Sequence, residues 1–343
     1  MRILVTGASG FVGATLVPRL LAEGHRVQVL ARDPAHTQSV LAAVPEIEVI
    51  RGDVLSGEGL QRALKGIEVA YYLIHSMESQ PAGAQPPSSF PERERLGATN
   101  FATHARQAGI RRIVYLGGPM PRGSLPQAPA SHRLTASASR HPAASASGHP
   151  AARVSRHLTS RAEVERILFE HVPESVALRA SIVIGARSRS FRLLVRLVER
   201  LPVLALPAWR TFRTQPIDAR DVTEILLATA IAPAIAGRRL DIGGPKALTY
   251  EELLQQIAEI MILPRPTLGL KFALTSLTAR LAAALVGEDP ELIVALMESL
   301  ESGDLLVGED HAAELLGVEL HSVEDAVECA LREWEAVEPL AAR

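Results

Sequence analysis

The chain has 343 residues, 47% of them hydrophobic, with a formal net charge of −2 and a single cysteine, Cys329. This excludes a protein that holds nucleic acid by bulk phosphate attraction and excludes an internal disulfide, and it leaves ample apolar residue for one large or two smaller domains. The lone cysteine fits a reducing, cytoplasmic setting, and no secretory leader is expected because the first residues already read as a core strand.

In chain order, the apolar run 3–5 predicts a buried parallel strand, followed by glycines at 7, 10 and 13 and a helix over 14–23 that stops at Gly24. Strand, glycine turn and helix start together form a dinucleotide pyrophosphate site. Gly7 allows the sharp turn, Gly10 lets backbone approach phosphate, and Gly13 lets the helix pack on the strand. Ser9, Phe11 and Val12 contribute the remaining backbone of the cradle, whose free N–H groups face the anion. Further strands are expected at 27–30, 47–50, 69–74 and 113–116, and helices at 37–44, 57–64 and 90–108. That alternation predicts an α/β fold with a doubly wound parallel sheet of Rossmann type.

The second strand ends in Ala31-Arg32-Asp33-Pro34. An acidic residue at this place suits the ribose hydroxyls of NAD(H), whereas Arg32 suits the 2′-phosphate of NADP(H). Arg32 stands first, so NADP(H) is the preferred cofactor, with NAD(H) left open. Gly52-Asp53-Val54 is placed at the adenine side, Asp53 accepting from the exocyclic amine or capping the next helix. Leu73 and His75 end the fourth strand, on the nicotinamide side, and Gly117 ends the fifth.

The order then breaks. Residues 119–156 carry no acidic or aromatic residue, and Ser137-Ala-Ser-Arg-His-Pro-Ala-Ala144 recurs as Ser145-Ala-Ser-Gly-His-Pro-Ala-Ala152. This reads as a duplicated, flexible insertion, and His132, His141 and His149 within it as loop histidines rather than metal ligands. A helix over 160–169 and a strand over 176–184 follow. Beyond Gly185 come Pro-punctuated apolar pieces and helices at 249–261, 273–286, 290–300 and 323–337. The stretch 272–286 is too short to cross a bilayer and carries Arg280. The expected division is a nucleotide-binding domain over 1–185 and a smaller, mainly helical substrate-side domain over 186–343, some of whose segments return to the first core. Asp221 reads as a helix N-cap, and Met120, Trp209 and Phe212 read equally as walls of an apolar substrate pocket or as core residues.

Thr6-Gly-Ala-Ser-Gly-Phe-Val-Gly13, Gly52-Asp-Val54, Ala70-Tyr-Tyr-Leu-Ile-His-Ser-Met77, Arg112-Ile-Val-Tyr-Leu-Gly-Gly118, Gln215-Pro-Ile-Asp-Ala-Arg-Asp-Val222 and Asp241-Ile-Gly-Gly-Pro245 resemble the short-chain dehydrogenase/reductase superfamily. More narrowly the chain resembles its atypical NAD(P)H-binding branch, with NmrA-like proteins and relatives of the nucleotide-binding accessory subunit of respiratory complex I. The resemblance spans residues 1 to about 250. It implies a nicotinamide cofactor and, in active members, a tyrosine that protonates a carbonyl beside a lysine four residues later.

This chain lacks that pair. In its place stands His157-Leu-Thr-Ser-Arg161, which keeps the spacing and changes both residue types. His157 is the candidate proton donor, titrating near ~6.5 if unperturbed, and Arg161 a candidate contact to the nicotinamide ribose. The expected function is an NADP(H)-dependent reductase of an apolar carbonyl or enone small molecule. The alternative is a non-catalytic NAD(P)H-binding redox sensor or accessory subunit. No nucleic-acid partner is expected, and a homodimer is left open.

Overall fold

The computed structural model describes residues 1–44, 47–75, 89–119, 155–270, 294, 297–308 and 311–340. Strands β1 (Arg2–Thr6), β2 (Arg26–Ala31), β3 (Glu48–Arg51), β4 (Val69–Tyr72), β5 (Arg112–Gly117) and β6 (Val176–Ala180) alternate with helices α1 (Phe11–Ala22), α2 (Pro34–Val40), α3 (Leu60–Leu64), α4 (Phe90–Gln107) and α5 (Arg156–His171). After them come β7 (Val183–Ile184), α6 (Arg189–Arg200), β8 (Leu204–Leu206), β9 (Arg213–Thr214), β10 (Ile217–Asp218), α7 (Ala219–Ile231) and β11 (Arg239–Ile242). The remainder holds β12 (Leu248–Thr249), α8 (Tyr250–Ile260), β13 (Thr267–Gly269), α9 (Ala312–Leu316) and α10 (Val323–Glu335).

Seven strands form one parallel sheet in the order β11-β6-β5-β4-β1-β2-β3. Chain progression reverses between β1 and β4, which opens a crevice at the carboxyl ends of those two strands. Side chains alternate across the sheet with the two-residue period of a strand. Ile3, Val5, Val69 and Tyr71 pack under α1 and α7, whereas Leu4, Ala70, Tyr72 and Tyr115 pack under α3, α4 and α5. The consecutive tyrosines of β4 therefore face opposite layers. Tyr71 is fully buried and donates its hydroxyl to the Leu226 carbonyl at 2.8 Å, which ties α7 onto the sheet. A separate core joins α6, α8 and α10 around Phe191, Trp209, Tyr250 and Trp334.

Several boundaries differ from the sequence reading. The strand expected over 176–184 breaks at Ser181-Ile182, because β7 leaves the main sheet to pair with β10. Helix α5 begins at Arg156, four residues before the expected start, because Ser155 caps it by accepting from Leu158 N at 3.1 Å. Helix α6 was not foreseen: its apolar residues lie in pairs and triplets between arginines and read equally well as short strand pieces.

Asp221 is not the N-cap of α7. Asp218 is, accepting from Arg220 N at 2.7 Å. Asp221 sits in the first turn, buried, and accepts from His321 N at 2.9 Å while facing His321 Nδ1 at 2.5 Å, so it anchors the start of α10. Residues 120–154, with Met120, His132 and the repeat with His141 and His149, lie outside the described residues, as do 273–286 and part of 290–300. Among the described residues no helix is long and apolar enough to cross a membrane, and no group of three or more His, Cys, Asp or Glu forms a metal-binding cluster.

Candidate active site

The glycine turn between β1 and α1 is built so that no side chain fits. Gly7 has φ +72°, and a Cβ there would lie 2.7 Å from the Leu73 carbonyl oxygen. A Cβ on Gly13 would lie 2.6 Å from Ala8 Cα and closer still to Gly7 O, all of it backbone that has no room to yield. Gly10 begins α1 without a side-chain cap, so the first N–H groups of the helix keep their anion-binding capacity. These features fit a dinucleotide pyrophosphate. Gly13→Ala should lower stability by about 1–3 kcal/mol and remove cofactor affinity. Thermal melting and nucleotide titration check this. Gly13 lies in α1 without a positive φ, so the cost is that of the backbone clash alone.

A pocket of about 780 Å³ runs along the strand ends. Gly7, Ser9, Gly10, Phe11, Val12 and Gly13 line its floor. Arg32, Asp53 and Val54 line one end, and Leu73, His75, Gly117, His157 and Arg161 the other. The structure thus gathers every residue singled out for cofactor or catalysis into one crevice.

Individual roles change on inspection. Asp33 is engaged in capping α2, accepting from His36 N at 3.0 Å. Asp53 does not cap α3, whose N-cap is Gly59; its carboxylate accepts from Leu55 N at 2.9 Å and shapes the turn after β3. Trp209 lies in the second core and Phe212 packs against that core, so neither walls this pocket.

At the nicotinamide end, the His157 ring stacks on His75 with centroids 4.9 Å apart and planes 9° apart, and Phe90 closes the cluster at 5.9 Å from His157. The His157 Nδ1 atom is buried without a hydrogen-bond partner. Burial, and then the charge of Arg161, push His157 down to about 3, so its ring is neutral across the physiological range. This corrects the expectation of a pKa near 6.5. Burial also pushes His75 well down, with the charges of Arg161, His157 and Arg189 adding to it.

Arg161 is buried and already engaged. It donates through Nη1 to Ile74 O at 3.4 Å and to Glu94 Oε2 at 3.3 Å, through Nη2 to Leu116 O, and lies 4.7 Å over the Tyr115 ring. It therefore ties the ends of β4 and β5 to α4, and its edge borders the pocket. Beyond this point the walls turn apolar, with Ile182, Leu193, Leu194, Leu300 and Leu305. These walls, together with His36, Ser181, Arg187 and Tyr250, escaped the sequence reading because they carry no local motif. Leu193 and Leu194 arrive only with α6, Tyr250 with α8, and Leu300 and Leu305 with a segment still further along the chain.

A family model described as NAD(P)H-binding matches residues 7–167. The chain is 37% identical over 118 residues to a 3 beta-hydroxysteroid dehydrogenase/Delta 5-->4-isomerase of Mycobacterium tuberculosis, a match covering 33% of this chain and only 30% of that protein. It is 27% identical over 286 residues to a 2-alkyl-3-oxoalkanoate reductase of Stenotrophomonas maltophilia, covering 79% of each. In fold it is similar to UDP-glucuronic acid 4-epimerase of Bacillus cereus, solved with UDP-glucuronic acid and NAD, with a TM-score of 0.66 and 18% identity over 98% of this chain and 100% of that one. Residues 7–167 therefore carry the features of an NAD(P)H-binding domain, and the chain is similar there to dehydrogenases and reductases.

Proposed function

We propose that the protein is an NADPH-dependent reductase of a mainly apolar carbonyl or conjugated enone. The observation that carries this reading is His157: a neutral imidazole with an unpartnered buried nitrogen, standing where the glycine-lined crevice meets apolar walls. The nicotinamide, when bound, supplies hydride to the electrophilic carbon. The chain's own residues do the rest. Glycines 7, 10 and 13 and the start of α1 hold the pyrophosphate. Leu193, Leu194, Leu300 and Leu305 exclude water and bind apolar carbon. His157 donates a hydrogen bond to the carbonyl oxygen and stabilises the negative charge that grows there, a task for which a neutral ring suffices, and water supplies the proton that turns the alkoxide into the alcohol. Arg161 and Glu94 hold the strand ends in place and are positioning residues.

The relatives named as a hydroxysteroid dehydrogenase and an oxoalkanoate reductase support a reductase of apolar carbonyls. One feature favours a second reading, a non-catalytic NAD(P)H-binding sensor or accessory subunit: no tyrosine of this chain precedes a lysine by four residues. A screen of ketones, 3-oxoacids and enones for substrate-dependent NADPH oxidation separates the two. Turnover of any supports the reductase, and tight NADPH binding with no turnover supports the sensor.

The preference for NADPH rests on Arg32 at the adenosine end, with the neighbouring Asp33 carboxylate already engaged by α2. Arg32→Ala should weaken NADPH about tenfold, the value of one charge-assisted contact at an exposed site, and leave NADH almost unchanged. Fluorescence titration of both cofactors checks it. Equal losses for the two would remove the argument.

A further inference from the structure

Arg187 lies outside the glycine motif by more than 170 residues, yet its Nη2 donates to the Ser9 carbonyl oxygen at 3.3 Å. It reaches there because the segment after β7 is pressed onto the start of α1. Gly185 packs so closely on the Phe11 ring that a Cβ would lie 2.5 Å from Phe11 Cζ. Next to it, Ser188 caps α6 and fixes the direction of the chain, accepting from Phe191 N at 3.5 Å. Arg187 is exposed while Gly185 and Ser188, two and one positions away, are buried, so its backbone is anchored and its guanidinium is left at the pocket surface. Ser9 O belongs to the peptide that leads into Gly10, the uncapped N-terminus of α1.

We infer that Arg187 is a ligand of the cofactor pyrophosphate, clamping from the second half of the chain the anion that the glycine turn and α1 hold from the first. This rests on the NAD(P)H-binding reading and deepens it. A pyrophosphate carries two negative charges, and the α1 terminus offers roughly half a positive charge through its peptide dipoles. The balance calls for a side-chain cation, and the guanidinium offers five donors in a fork suited to phosphate oxygens, more than its one bond to Ser9 O uses. Because the pyrophosphate is common to NADH and NADPH, Arg187 serves both cofactors alike, unlike Arg32.

The test is fluorescence and calorimetric titration of wild type, Arg187→Ala and Arg187→Lys with NADPH, NADH, ADP and adenosine, at low and high salt. Arg187→Ala should weaken NADPH, NADH and ADP each about tenfold, leave adenosine unchanged, and lose part of the salt dependence of binding. Arg187→Lys should recover part of the loss, and a melting curve like that of wild type shows that the exposed substitution leaves the fold intact. If wild type binds the nucleotides and Arg187→Ala binds them equally well, or loses adenosine as strongly as ADP, the clamp is overturned while the cofactor reading stands. If wild type binds none of the nicotinamide nucleotides, the cofactor reading falls and the clamp with it.

Discussion

His157→Phe should lower turnover by ~10²–10³ while leaving NADPH affinity intact, because it removes the polar group at the reacting end of the pocket and keeps an aromatic ring in the stack. The pH dependence distinguishes the role of the neutral ring from that of a protonated acid. With His157 held at about 3, wild-type turnover should show no limb near neutrality that belongs to this residue. A limb near 6.5 that vanishes in His157→Phe would show that substrate and cofactor restore the imidazolium, and would overturn the neutral-donor assignment. The same shift makes a stability prediction. The unfolded chain takes up a proton on His157 below about pH 6.5, whereas the folded chain does so only near 3. The folded state is therefore penalised as the pH falls through that window, by on the order of 1.4 kcal/mol per pH unit, and is unaffected above it. Acid unfolding monitored by circular dichroism should begin at lower pH in His157→Phe than in wild type.

Glu94→Ala should be among the most damaging single substitutions. It leaves the buried Arg161 guanidinium without its carboxylate, a loss of about 3–5 kcal/mol for an interior pair broken on one side. A double replacement, Glu94→Leu with Arg161→Met, should recover part of that stability, because it removes both charges together. Chemical denaturation of wild type and the two variants measures it. A melting behaviour of Glu94→Ala equal to wild type would mean that Arg161 finds water or another anion, and that the ion pair does not hold α4 to the strand ends. In turnover, the double variant separates positioning from structure. If Arg161 and Glu94 set the placement of His75 and His157, turnover should remain low while the fold returns.

The sequence by itself determined the parallel sheet, the order of its first elements and the floor of the crevice. Each of these is written in contiguous residues: the strand-glycine-helix run at 2–22, the short, wholly buried run of β4, and the stops of α1 at Gly24 and of α4 at Gly109. Local conformational needs leave local marks, and only glycine satisfies Gly7 at φ +72°. The resemblance to short-chain dehydrogenases pointed to His157 and Arg161, which keep the four-residue spacing of the missing Tyr and Lys. What it left open is decided between distant segments. Whether Arg161 meets a cofactor or the chain depends on Glu94, Ile74 and Leu116, three residues from three other segments, which converge only in the fold. The protonation of His157 depends on burial and on a charge one helical turn away, so its reference value near 6.5 did not survive packing. Asp218 and Asp221 are three residues apart on one helix, and only the arrival of His321 from the far end of the chain separates a cap from an interhelical anchor. Tertiary structure chose among the partners that the sequence offered, because burial and charge act through space and carry no mark along the chain.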